Sequence, residues 1–292
     1  MPTLPFQRLT VQGPDGVLAV RRWGRRDRPV VLCVHGYPDN SSKWEAVATW
    51  LANDYQVVAY DVRGAGQSFK PTATQAYALA RLTEDFRAVI DAVSPNAPVH
   101  LVGHDWGSVQ CWEFVTDPSL KGRIASYTSC SGPCLDHVGH WMRDRLRQPS
   151  LRGMGQMGLQ LIKSWYVYLF HLPWVPELLW RAVLGRQWHL VMRWLERTPV
   201  PPRDGQADDG RFGVNLYRAN FLPRLMHPGQ RVAHAPVQVL VPTGDRFVSP
   251  SLSENLDRWA PSLQRHELKA GHWITLKQPE LFAQAVREFI SA

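Results

Sequence analysis

Residues Val99 to Gly107 read Val-His-Leu-Val-Gly-His-Asp-Trp-Gly, an apolar strand pattern that runs directly into small-X-acid-X-small and then a helical pattern. A turn this tight needs minimal side chains at Gly103 and Gly107. It thrusts the apical residue, Asp105, out of a sheet and beside a helix N-terminus, whose positive end favours a carboxylate. An aspartate at the apex sets the reaction class, because a carboxylate is already ionised and attacks a saturated carbon without a base, leaving an alkyl ester on the protein. Near the C-terminus, Val239-Leu-Val-Pro-Thr-Gly-Asp245 ends a strand with an acid, and Lys269-Ala-Gly-His272-Trp sets a histidine after the next strand. In that order Asp245 orients the imidazole of His272, and the other ring nitrogen activates water against the ester. The strand ending at Ser129 carries no carboxylate that could take this part instead.

Val34-His-Gly-Tyr37-Pro38 follows another apolar strand, where the chemistry needs backbone N–H donors for an oxyanion. The amides of Tyr37 and Trp106 are the candidates; the plainer reading is a Gly-Pro turn. Asp61-Val-Arg-Gly-Ala-Gly-Gln-Ser68 reads as structural, with glycines permitting a turn whose backbone Asp and Arg can bond. Cys130, Cys134, His137 and His140 lie close together, but their spacing matches no usual zinc pattern, so no metal is expected.

These residues need a frame. Short β-branched runs at Val30–His35, Gln56–Tyr60, Val99–Gly103, Ile124–Ser129, Val237–Pro242 and Leu263–Leu268 read as buried parallel strands. Helical patterns at Ser42–Ala52, Tyr77–Val93, Trp106–Val115 and Pro279–Ile290 alternate with them, which predicts a doubly wound sheet. From Leu135 to about Gln230 the rhythm changes to Trp-, Arg- and Pro-rich helical pieces. The organisation expected is therefore a core of residues 1–134 and 231–292 with a helical cap, residues 135–230, inserted in it. Pro199 to Gly210 looks like a loop within the cap.

With 45% hydrophobic and 20% charged residues among 292, the chain can bury a sizeable core and does not read as disordered. No export signal and no membrane-length apolar run is visible. Four cysteines in so long a chain suit a reduced compartment, and the cytoplasm is the expected location. The net charge of +8 resides entirely in Trp141–Arg231, which holds 14 Lys+Arg against 6 Asp+Glu and six of the 13 tryptophans. Such a segment fits anionic lipid or nucleic acid, or arginines that simply solvate helix faces. No nucleic-acid motif accompanies it, so nucleic acid is not an expected partner; peripheral membrane contact through the cap and a homodimer are.

Together, His-Gly-Tyr-Pro, Asp-X-Arg-Gly-X-Gly-X-Ser, Gly-His-Asp-Trp-Gly, Gly-Asp245 and Gly-His272-Trp make nearly the whole chain resemble the epoxide hydrolases of the α/β-hydrolase superfamily. The resemblance implies an α/β-hydrolase fold with a mostly parallel sheet, conversion of an apolar or lipid-like epoxide to a vicinal diol, and no organic or metal cofactor. It also implies two cap tyrosines that hydrogen-bond the epoxide oxygen. Ser164-Trp-Tyr-Val-Tyr-Leu-Phe-His-Leu-Pro173 is similar to the first tyrosine segment and gives Tyr166 rather than Tyr168; Asn215-Leu-Tyr-Arg-Ala-Asn220 is similar to the second and gives Tyr217. The plainer reading is aromatic core positions. Haloalkane and haloacid dehalogenases share the Asp nucleophile, but the former usually carry a halide donor where Tyr37 stands. Fluoroacetate-type enzymes would have arginines where this chain reads Gly107-Ser-Val-Gln-Cys, and a His-Trp pair where it has Tyr166-Val167. A non-catalytic ligand-binding member of the fold is the alternative from another class.

Overall fold

Side chains that alternate between two apolar layers define the central sheet. On β3 (Val30–Val34), Val30, Leu32 and Val34 join one buried cluster while Val31 and Cys33 join another on the opposite face, as the two-residue strand period requires. The computed structural model describes residues 4–292. It holds β1 (Gln7–Gln12), β2 (Val17–Trp23), β3, β4 (Gln56–Tyr60), β5 (Val99–His104), β6 (Ile124–Cys130), β7 (Val237–Pro242) and β8 (Leu263–Leu268) in the order β1-β2-β4-β3-β5-β6-β7-β8. β1 and β2 pair antiparallel, β2 runs antiparallel to β4, and every later pairing is parallel. The sheet is thus mostly parallel and doubly wound. Its winding reverses between the adjacent strands β3 and β5, and the crevice beyond their C-terminal ends is where ligands meet such sheets.

Helices α1 (Glu45–Leu51), α2 (Leu79–Val93) and α3 (Trp106–Thr116) come from the first half. Between β6 and β7 lie α4 (Leu135–Arg147), α5 (Leu151–Lys163), α6 (Trp165–His171), α7 (Val175–Leu179), α8 (Gly185–Glu196) and α9 (Gln206–Met226); α10 (Ile274–Lys277) and α11 (Pro279–Ser291) close the chain. Val47 and Leu51 of α1 and Phe282 and Val286 of α11 cover one face of the sheet, Phe86 of α2 and Phe114 of α3 the other.

Three elements depart from the sequence expectation. The β1–β2 ribbon is unanticipated, because it is an edge with only scattered apolar positions. β8 is an edge strand whose Gln264, Arg265, His266 and Glu267 are exposed rather than buried, a polar edge that discourages pairing with another chain. α9 begins at Gln206, inside the interval read as a loop. Asp208 and Asp209 favour that helix start through the dipole, and Asp209 accepts from the Gly66 amide at 2.7 Å and from Arg203 at 2.5 Å.

The segment after β4 behaves as structural. Asp61 accepts from the amides of Ser41 and Gln67, each at 2.8 Å. The buried Arg63 guanidinium donates to both carboxylate oxygens of buried Asp85, at 2.7 and 2.8 Å, and to the Ala76 carbonyl at 2.7 Å. Arg63→Met strands the Asp85 charge and is expected to cost about 3 kcal/mol in urea unfolding, with part of the loss recovered in Arg63→Met/Asp85→Leu. Equal midpoints for parent and single variant would refute the assignment.

Candidate active site

Asp105 stands between β5 and α3 with φ 56° and ψ −127°, a strained conformation for a residue with a Cβ. Two close approaches hold it there. A Cβ on Gly103 would lie 2.6 Å from the Ser108 Cα, and one on Gly107 would collide with the Val34 carbonyl, so only glycine admits the turn against β3. The carboxylate emerges over the crevice where the winding reverses. Its Oδ1 accepts from the Tyr37 amide at 2.6 Å. The Trp106 amide opens α3 without a hydrogen bond to the carboxylate in this conformation, and the Trp106 ring packs edge-on against Tyr217 at 4.8 Å.

The three triad candidates meet. Nδ1–H of His272 donates to Asp245 Oδ2 at 2.9 Å, and Nε2 lies 3.5 Å from Asp105 Oδ2. Asp245 Oδ1 accepts from the amides of Phe247 and Val248, at 2.8 and 3.0 Å. Burial alone would push Asp245 up; His272 and those amides hold it below the usual carboxylate value. Burial likewise opposes a charge on His272, but Asp245 and Asp105 outweigh it and push the imidazole up to about 10. The imidazole is therefore a cation between two carboxylates while Asp105 is ionised.

Sequence reading passed over the support beneath the triad. His104 Nε2–H donates to the His272 carbonyl at 2.7 Å, and Lys43 Nζ donates to His104 Nδ1 at 2.6 Å and to Asp39 Oδ2 at 2.9 Å. Burial, then the Lys43 cation, keeps His104 neutral, which suits a ring that accepts on one side and donates on the other. His104 stands within the Gly-His-Asp run, but Lys43 carries no sequence signal, because a lysine on a short helix ordinarily faces water.

A cavity of about 540 Å³ lies over Asp105 and His272, between the strand ends and the inserted helices. Tyr166 of α6 and Tyr217 of α9 line it, their rings 5.9 Å apart and nearly perpendicular. Burial first, then the nearby Asp105 charge, raises Tyr166 above an ordinary phenol; burial, Tyr166 and Asp105 do the same for Tyr217, so both keep their protons. Tyr168 is exposed and does not line the cavity. α9 is tied to the core by Asn220, which accepts from the Leu79 amide and donates to the Tyr77 carbonyl, both at 2.9 Å. α5 is tied to the segment after β7 by Gln160, which donates to the Phe247 carbonyl and accepts from the Ser249 amide, both at 2.9 Å. Cys130, Cys134, His137 and His140 form no metal cluster, and among the described residues no group of three or more His, Cys, Asp or Glu is arranged to hold an ion.

A strained acidic elbow after β5, an Asp–His pair after the last two strands and a helical insertion between β6 and β7 are the arrangement of the α/β-hydrolase fold. The chain belongs to the α/β-hydrolase fold family, which matches residues 29–279. It is 36% identical to the protein named probable oxidoreductase EphD of Mycobacterium tuberculosis over 99% of this chain and 50% of that protein; the chain thus spans about half the length of the first of the curated relatives it matches. It is 30% identical to epoxide hydrolase 4 of Homo sapiens, covering 91% of this chain and 74% of the relative. An epoxide hydrolase of Bacillus megaterium in complex with its product superposes with a TM-score of 0.80 at 21% identity, over 98% of this chain and 100% of that one, a likeness that speaks for the fold.

Removing the Asp105 charge should lower the His272 midpoint. Asp105→Asn is expected to shift the imidazole titration down by at least about one unit, read by NMR of the ring protons. Because the folded value lies above the ordinary 6.5, the cluster contributes its full stability below that pH and loses it as pH rises through about 10. An unmoved midpoint would contradict the arrangement.

Proposed function

We propose that this protein is an epoxide hydrolase that opens an apolar epoxide to a vicinal diol through an ester on Asp105. The observation that carries the reading is one cavity shared by a carboxylate nucleophile and two protonated phenols. A phenol donates to an oxygen that gains negative charge as the ring opens; halide release has no such oxygen. The names of several relatives, among them the epoxide hydrolases of Homo sapiens and Xenopus tropicalis, support it. The walls are predominantly apolar and aromatic, which favours a hydrophobic substrate.

In the proposed reaction Asp105 Oδ2 attacks one ring carbon and the carbon–oxygen bond of the strained ring breaks. Tyr166 and Tyr217 donate to the departing oxygen. Its proton comes ultimately from the His272 cation, which loses its support once the ester removes the Asp105 charge. The ester carbonyl, Oδ1, stays on the Tyr37 amide, where it already sits, and Trp106 is the proposed second donor. Neutral His272, oriented by Asp245, takes a proton from water as the hydroxide attacks the ester carbon. Diol leaves, and both the carboxylate and the imidazolium are restored, so the proton balance closes without a cofactor. Residues 135–230 are the proposed cap. Four buried free cysteines suit a reduced compartment, and the cytoplasm is the proposed location; among the described residues no helix is long and apolar enough to cross a membrane.

Mixed with styrene oxide, His272→Gln is expected to accumulate an adduct on Asp105 by mass spectrometry, while Asp105→Asn forms none in the short term. Tyr166→Phe and Tyr217→Phe are each expected to slow alkylation by about 10 to 1,000-fold. Full activity in both single variants and in the double would remove the tyrosines from the mechanism; halide release from haloalkanes without diol formation would replace the proposed reaction.

A further inference from the structure

On α5 the usual polarity of a surface helix is reversed. Leu151, Met154, Leu159, Leu161 and Ile162 share one face and stand in solvent, Leu151 with 97% exposure. The inward face carries Gly153, Gln156, Met157 and Gln160, and its glutamines bond Phe247, Ser249 and Glu254 in the segment after β7. A surface helix ordinarily turns its apolar face to the core. The exposure continues along the insertion with Trp165, Tyr168, Leu172, Trp174, Leu178 and Trp194. Trp174 is 76% exposed on backbone with φ 61°, a left-handed conformation unusual for a bulky residue.

The same segment presents charge of one sign. Arg147, Arg181, Arg186, Arg193 and Arg197 are exposed, and none makes an ion pair among the described residues. The acids between them are occupied: Glu177 binds Arg218, and Glu196 is buried. Ile162, Trp165 and Trp194 line the cavity and are also 63 to 72% exposed, with Lys163 and Arg246 beside them on the wall. The cavity therefore opens within this apolar, aromatic and cationic surface.

We infer that this face docks on an anionic lipid surface and that the cavity draws its substrate from the bilayer, the second clause resting on the epoxide reading. Apolar and tryptophan side chains suit the headgroup boundary, and unpaired guanidiniums suit lipid phosphates. A second copy of the chain fits less well, because a symmetric contact would set five unpaired guanidiniums against five more.

The test is flotation with vesicles of phosphatidylcholine, alone or with about 30% phosphatidylglycerol. The parent is expected to float at least about tenfold better with the anionic vesicles, with the difference shrinking as salt rises. Leu151→Glu/Leu159→Glu and Arg181→Glu/Arg186→Glu should each lose about tenfold or more of that binding while turning over water-soluble styrene oxide as the parent does. Failure of the parent to float, unchanged flotation of both variants, or sedimentation showing a dimer that both variants dissociate would overturn the inference. Flotation is read without turnover, so binding with no diol formation supports the docking surface while removing the epoxide reading; thermal melting then reports the folding of the variants.

Discussion

The His272 imidazole lies between two carboxylates, and the rest of the structure is arranged around that placement. Asp245 fixes one ring nitrogen, the strained turn at Asp105 brings a second carboxylate to within 3.5 Å of the other, and His104 holds the backbone carbonyl of His272 from beneath. Each carboxylate favours the cation, and burial resists it. A group so balanced changes character when one neighbour changes charge. Converting Asp105 into a neutral ester is such a change, so the first half of the proposed reaction prepares the base for the second.

The sheet explains why three residues far apart in sequence converge. β3 and β5 are neighbours where the winding reverses, which sets Tyr37 and Asp105 at adjacent strand ends. β7 and β8 bring Asp245 and His272 from the far side of β6. Glycine is required at position 107 because α3 starts against the carbonyls of Val34 and His35, a contact that a methyl group would abolish. The same packing that makes the turn costly to change holds its aspartate at the mouth of the crevice.

Much of this was legible in the sequence, for a physical reason. Parallel strands buried on both faces are continuous apolar runs, and β4 and β7 match the expected bounds to the residue. The elbow glycines and the acid and histidine after the last two strands mark their own positions. Edges and interfaces were harder to read. β1 and β2 carry their apolar residues only intermittently, β8 keeps its expected bounds but exposes its polar centre, and α9 starts in a stretch rich in charge and proline, where Asp209 reaches Gly66. Lys43 is invisible as a site residue because its burial depends on His104 and Asp39, which only the folded chain assembles.

Asn215 and Asn220 have a mechanical consequence. Thr74 donates to Asn215 at 2.7 Å, and Asn220 bridges Leu79 and Tyr77, so α9 is stitched to the sheet-side layer at two points, Asn215 and Asn220. The wall that carries Tyr217 is in effect an extension of the rigid base. Tyr217 therefore keeps a constant address in the cavity over Asp105, and a guest of any bulk must arrange itself around that phenol.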